Sequence, residues 1–187
     1  MLRWKYNWKR FWYQREDKID LSDEWFLCDH DRDLEQYLCH PNIVPFESLT
    51  NTKCLILLGE PGVGKTTSLQ LECKKLQECI EKDDQSIWED LKDYHDVNYL
   101  NTKVFKSKAF LAWTRGSYNL HLFFDSLDEC QIHIDNIGRV ILKELKTNNY
   151  PIERLYLRII CRTGYWDSSL EDKLRKLFVR VREMIPL

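Results

Sequence analysis

The sequence predicts an α/β fold: a five-stranded, mostly parallel sheet covered by helices. Three observations predict it. From residue 53 onward, apolar runs of strand length alternate with longer stretches of helical period. A glycine-rich loop, GEPGVG, joins the first of those runs to the first helical stretch. No repeat or low-complexity segment interrupts the pattern, and 187 residues suit one domain that hides roughly 70% of its unfolded surface.

In chain order, residues 1–52 form an aromatic and charged preface expected to pack on the core. It opens with Trp4, Tyr6, Trp8, Phe11, Trp12 and Tyr13 among Arg3, Lys5, Lys9 and Arg10. Interleaved cations and aromatics can bind nucleic acid, but the acidic run Glu16, Asp17, Asp20, Asp23, Glu24 follows at once and favours a packing arm. The core, residues 53–187, begins with the buried strand CLILL (54–58). A helix then starts near Lys65 with Leu69, Cys73, Leu76 and Ile80 on one face. Residues 86–91 give a weaker second strand, followed by helix through Phe105 and Phe110 to Trp113. A third strand spans 120–124, and Ile134, Ile137, Ile141 and Leu145 form a helical stripe. A fourth strand covers 155–161, and Leu170, Leu174 and Leu177 mark a further helix. For that helix, Ser168 with Glu171 three residues on reads as a capping box. Residues 179–185 form the fifth strand.

Composition narrows the function classes. The formal charge of -2 gives no global pull toward nucleic acid or membranes. No stretch approaches the roughly 18 apolar residues of a membrane span, and the charged N-terminus holds no signal-peptide apolar region, so a cytoplasmic protein is expected. Seven cysteines, an odd number without a CxxC pair, read as reduced buried thiols. Cys28, His30, Cys39 and His40 offer four zinc-ligand types, but their spacing matches no zinc pattern, and ordinary packing is the preferred reading.

The chemistry sits in three places. Gly59, Gly64, Lys65 and Thr66 complete G-x-x-x-x-G-K-[ST], written GEPGVGKT, between a strand and a helix. Four fixed positions coincide by chance in roughly one chain of this length in a couple of hundred. Glycines let a backbone wrap around phosphates, and N–H groups at a helix start supply positive potential. The expected nucleotide-binding residues are Gly59, Glu60, Pro61, Gly62, Val63, Gly64, Lys65, Thr66 and Thr67. Lys65 should reach the β and γ phosphates, and the Thr66 hydroxyl should coordinate Mg²⁺. Second, HLFFDSLDEC places Asp125 at the carboxyl end of a buried strand, expected next to the P-loop strand, as the metal-side carboxylate. Asp128 and Glu129 follow in the turn as candidates to orient a water, a trio of acids that repel one another unless a cation or donors intervene. Third, LYLRIICRT ends in Arg162, a candidate to sense the γ-phosphate or, alternatively, to pair with surface carboxylates.

Together, GEPGVGKTT, LFFDSLDE and RIICRTGYW resemble the nucleotide-binding core of NACHT-type STAND NTPases, relatives of the AAA+ group; the continuation GYWDSSLEDKLRKL is similar to large bacterial members of signalling or antiphage type. The resemblance covers about residues 40–187. It implies a P-loop NTPase three-layer sandwich with sheet order 5-1-4-3-2. It also implies the Mg²⁺ role for Asp125, hydrolysis-linked acidic roles for Asp128 and Glu129, and the sensor position for Arg162. Members of that family carry an effector domain before the core and a helical lid after it. A chain ending after the fifth strand is therefore expected to lack that lid and to be a fragment, a truncated product or an excised domain.

The leading expectation is an ATP-binding, slowly hydrolysing switch that uses Mg²⁺ and works through protein partners or further copies of the chain. A non-catalytic module that co-assembles with larger homologues is the alternative, and a small-molecule kinase is weaker because it leaves DSLDE unexplained. GTP specificity lacks an NKxD-type base-reading motif.

Overall fold

The run Cys54–Leu58 is apolar at all five positions because both faces of its strand are covered, and every one of these residues is buried. The computed structural model describes residues 10–17, 19, 42–78, 84–131 and 133–187. In chain order its strands are β1 (Phe11–Gln14), β2 (Ile43–Pro45), β3 (Cys54–Leu58), β4 (Gln85–Asp90), β5 (Leu120–Asp125), β6 (Leu155–Cys161) and β7 (Val181–Pro186). The helices are α1 (Lys65–Glu78), α2 (Val97–Leu100), α3 (Lys108–Arg115), α4 (Leu127–Cys130), α5 (Ile137–Thr147) and α6 (Ser169–Arg175).

The sheet has seven strands rather than the expected five, in the order β2-β1-β7-β3-β6-β5-β4. The extra pair comes from the preface. β1 runs antiparallel to both β2 and β7, with Trp12 opposite Val44 on one side and Pro186 on the other. The other five strands are mutually parallel, joined by helical crossovers. Their carboxyl ends align: Leu58 sits beside Cys161, and Asp90 beside Asp125.

Side chains alternate across the sheet. Leu55 and Leu57 face one cluster with Trp12, Phe46, Leu69, Phe123 and Met184. Cys54, Ile56 and Leu58 face the larger cluster built with Phe110, Trp113, Ile141, Leu145, Leu170 and Leu174. Helix α1 thus covers one face, and α3, α5 and α6 the other.

Several elements depart from the sequence reading. The helix expected through Phe105 to Trp113 is interrupted. α2 passes into a wider π-helical turn, Asn101–Phe105, and α3 starts afresh where the Ser107 hydroxyl accepts from the Phe110 N–H at 3.1 Å. The stripe at 134–145 begins as helix only at Ile137, because Asn136 is left-handed at φ 56°. The capping box does not form. Ser168 is already helical, and Asp167 caps instead, its carboxylate accepting from the Ser169 N–H at 2.9 Å and Oγ at 2.8 Å. Glu171 instead pairs with Arg175 one turn on. The last strand starts at Val181, two residues later than expected, because Val179 is fully exposed.

Four described cysteines, Cys54, Cys73, Cys130 and Cys161, are free and buried. The zinc-type residues Cys28, His30, Cys39 and His40, and the aromatics Trp4, Tyr6 and Trp8, lie outside the described residues. Among the described residues, no helix is long and apolar enough to cross a membrane.

Candidate functional site

The loop between β3 and α1 adopts its shape through glycine. Gly59, Gly62 and Gly64 have φ of 148°, 85° and 91°, which side chains other than hydrogen resist. At Gly59 the backbone also passes close to its neighbours: a Cβ there would sit 3.1 Å from Pro186 Cδ. The result is a turn wrapped around its own lysine. Lys65 is buried, and its Nζ donates to the carbonyls of Gly59 at 2.6 Å and Glu60 at 2.9 Å. Burial pulls the Lys65 ammonium below the usual lysine range, and the carboxylates of Asp128 and Asp125 oppose that shift.

Opposite the loop, β5 ends in Asp125, which is buried. Its Oδ1 accepts from the Thr66 hydroxyl at 3.3 Å and from the Ser126 N–H at 2.8 Å. Ser126 is left-handed, at φ 57° and ψ 39°, and this turn sends the chain directly into α4. Burial raises the Asp125 carboxyl; the Thr66 and Ser126 donors oppose it, and Asp90 at the end of β4 adds to the rise.

The two acids that follow lie on the short helix α4, not in an open turn. Asp128 is buried and receives two bonds from Arg162, whose Nε lies 2.9 Å from Oδ2 and whose backbone N–H donates to Oδ1 at 3.1 Å. Arg162 also reaches Glu129 Oε1 from its Nη2 at 3.2 Å. The donors needed to hold the acidic trio together are therefore the site's own. Arg162 pairs with carboxylates, and they are those of the cavity, not of the outer surface.

These residues converge on one cavity of about 300 Å³. Pro61, Gly62, Gly64, Lys65, Thr66 and Thr67 form one wall; Asp125, Asp128, Glu129 and Arg162 form the other. Gly59, Glu60 and Val63 do not line it. The first two act through carbonyls on Lys65, and Val63 is exposed. One expectation is corrected: β5 is not next to the P-loop strand. β6 lies between them, carrying Arg162 into the gap, and Thr66 bridges to Asp125 from the start of α1.

One lining residue, Ile160, and the flanking Asp90 were not singled out in the sequence. Asp90 carried a usable signal, because a strand ending in an acid beside another such strand places both carboxylates at one edge. Among the described residues, no group of three or more His, Cys, Asp or Glu side chains is disposed to hold a metal alone. A hydroxyl and one carboxylate in contact suit Mg²⁺, which takes one or two protein ligands and fills the rest with phosphate and water. No protein-family model matches the chain, and no curated protein sequence matches it either.

Proposed function

We propose that the chain binds ATP with Mg²⁺ in this cavity and serves as a slowly hydrolysing switch domain of the NACHT/STAND kind, in cytoplasmic signalling or defence. The observation that carries this reading is the meeting of Thr66 and Asp125, 59 residues apart, at 3.3 Å beside the three-glycine loop and Lys65. A hydroxyl and a carboxylate brought together next to an anion cradle suit a metal shared with phosphate. Further support is the order of the parallel strands, 181–186, 54–58, 155–161, 120–125, 85–90, which is the arrangement the resemblance implies for a P-loop sheet.

Bound Mg²⁺ would neutralise charge on the phosphate oxygens. Thr66 and Asp125 would hold it, while Lys65 leaves its loop carbonyls for the β and γ phosphates. Asp128 or Glu129 would orient the attacking water once Arg162 turns from them toward the γ-phosphate. Communication with protein partners or further copies of the chain would follow from which acids Arg162 engages.

Titration calorimetry with Mg-ATP, Mg-ADP and Mg-GTP tests the reading. Lys65→Ala is expected to abolish binding, and Asp125→Asn to weaken its Mg²⁺ dependence; an unchanged ATP affinity in Lys65→Ala sinks it. A second reading, binding without turnover as a co-assembling module, is favoured by the ion pairs that occupy both water-orienting acids. Phosphate release by the purified chain decides between the two.

A further inference from the structure

β1 is antiparallel to β7, so its start lies beside the carboxyl ends of the parallel strands, at the edge where the cavity opens. Arg10 immediately precedes β1. Its guanidinium lies close against Gly64: a Cβ at that glycine would fall 2.6 Å from the arginine Cζ and 2.8 Å from Nη2. Gly64 itself lines the cavity. Among the described residues no carboxylate pairs with Arg10, whereas Arg15 is engaged by Glu183 at 2.9 Å and Arg162 by Asp128 and Glu129.

The charge balance of the cavity gives that position meaning. Its walls bring Lys65 and Arg162 against three carboxylates, Asp125, Asp128 and Glu129. A polyphosphate entering walls with more acids than cations gains from a further cation at the rim, and a guanidinium matches phosphate oxygens in two parallel bonds. Glycine at 64 is what lets the guanidinium come so near the loop backbone.

We propose that Arg10 is a phosphate-binding residue, delivered to the P-loop from the N-terminal strand, and that it couples that strand to nucleotide occupancy. The proposal rests on the nucleotide reading above and deepens it. A segment far from the motif in sequence then reports on the ligand, because a bound phosphate would add bonds to an arginine carried by β1.

The test is titration of the full chain and its Arg10→Ala, Arg10→Gln and Arg10→Lys variants with Mg-ATP and with Mg-tripolyphosphate, together with ligand-free thermal midpoints. Arg10→Ala and Arg10→Gln are expected to lose about tenfold or more in affinity for both ligands. Arg10→Lys, which keeps the charge but not the paired bonds, should lose less than Arg10→Gln, with thermal midpoints unmoved across the set. Equal binding by the wild type and Arg10→Gln overturns the proposal while leaving the nucleotide reading intact. Equal losses in Arg10→Lys and Arg10→Gln, tracking a fall in thermal midpoint, assign Arg10 to packing and also overturn it. Failure of the wild type to bind either ligand removes both the proposal and the reading beneath it.

Discussion

At Arg158 the chain puts a full positive charge inside the sheet, in the middle of β6, with no exposed surface at all. Such a charge persists only if its donors are met. Here they are: Nη1 donates to the Thr52 carbonyl at 2.6 Å, Nη2 to the Thr50 carbonyl at 2.6 Å, and Nε and Nη2 to Glu72 at 3.1 and 2.9 Å. Glu72 is also buried, on α1, so the helix that follows the glycine loop is bolted to β6 and to the segment before β3. Glu72→Ala leaves the guanidinium without its countercharge. We expect a loss of about 3–5 kcal/mol in urea denaturation; a change under about 1 kcal/mol would show that the two carbonyls suffice. The arginine was visible in the run LYLRIICRT, but its partner was not, since nothing local links residue 158 to residue 72. The glycines, Lys65, Thr66 and Asp125 were legible because each is specified by its own residue type within a short pattern.

Elements were legible wherever burial followed a simple period. β3 and β6 fall at the expected positions, 54–58 and 155–161, because β3 is apolar on both faces and β6 is apolar at every position of one, Leu155, Leu157, Ile159 and Cys161. Helix α1 was read by its apolar stripe, yet it also buries Ser68 and Glu72, for reasons that lie in the opposing sheet. Breaks within helices were the hardest feature, since short polar side chains compete locally with the helix. Ser107 and Asp167 both do so, each accepting a backbone N–H at the start of a helix. Ser107 sets the beginning of α3, whose Phe110 and Trp113 stack edge-on at 5.1 Å in the larger core. Ser107→Ala is expected to cost about 1 kcal/mol and Ser107→Asp much less, measured by the chemical-denaturation midpoint. Equal losses in both would place the serine's contribution elsewhere than the cap.

Across the whole molecule, the strand order brings the cavity-lining residues that follow β3, end β5 and follow β6 to one edge, and the antiparallel β1 and β2 extend the sheet beyond β7. The same packing buries His121 within β5, stacked on Tyr156 at 4.5 Å, with neither ring nitrogen hydrogen-bonded. Burial, aided by the Arg158 charge, lowers its pKa from 6.5 to about 4 against the opposing pull of Asp84, 3.5 Å away. The unfolded chain therefore takes up a proton at higher pH than the folded one. The contribution from a neutral His121 is complete above pH 6.5 and is lost as pH falls toward 4, amounting to about 3 kcal/mol. Denaturation at pH 7 and pH 4.5 should show a steeper fall for the wild type than for His121→Phe; parallel falls would rule His121 out as the source. By itself the sequence determined the glycine loop, the identity of the acids and the alternation of strand and helix, because those reside in residue type and local period. Only the tertiary structure decided that the preface supplies two strands, that Arg162 is held by Asp128 and Glu129, and that Arg10 lies on Gly64. Each of these joins segments distant along the chain, and such a contact leaves no periodic trace in either segment until folding brings the two together.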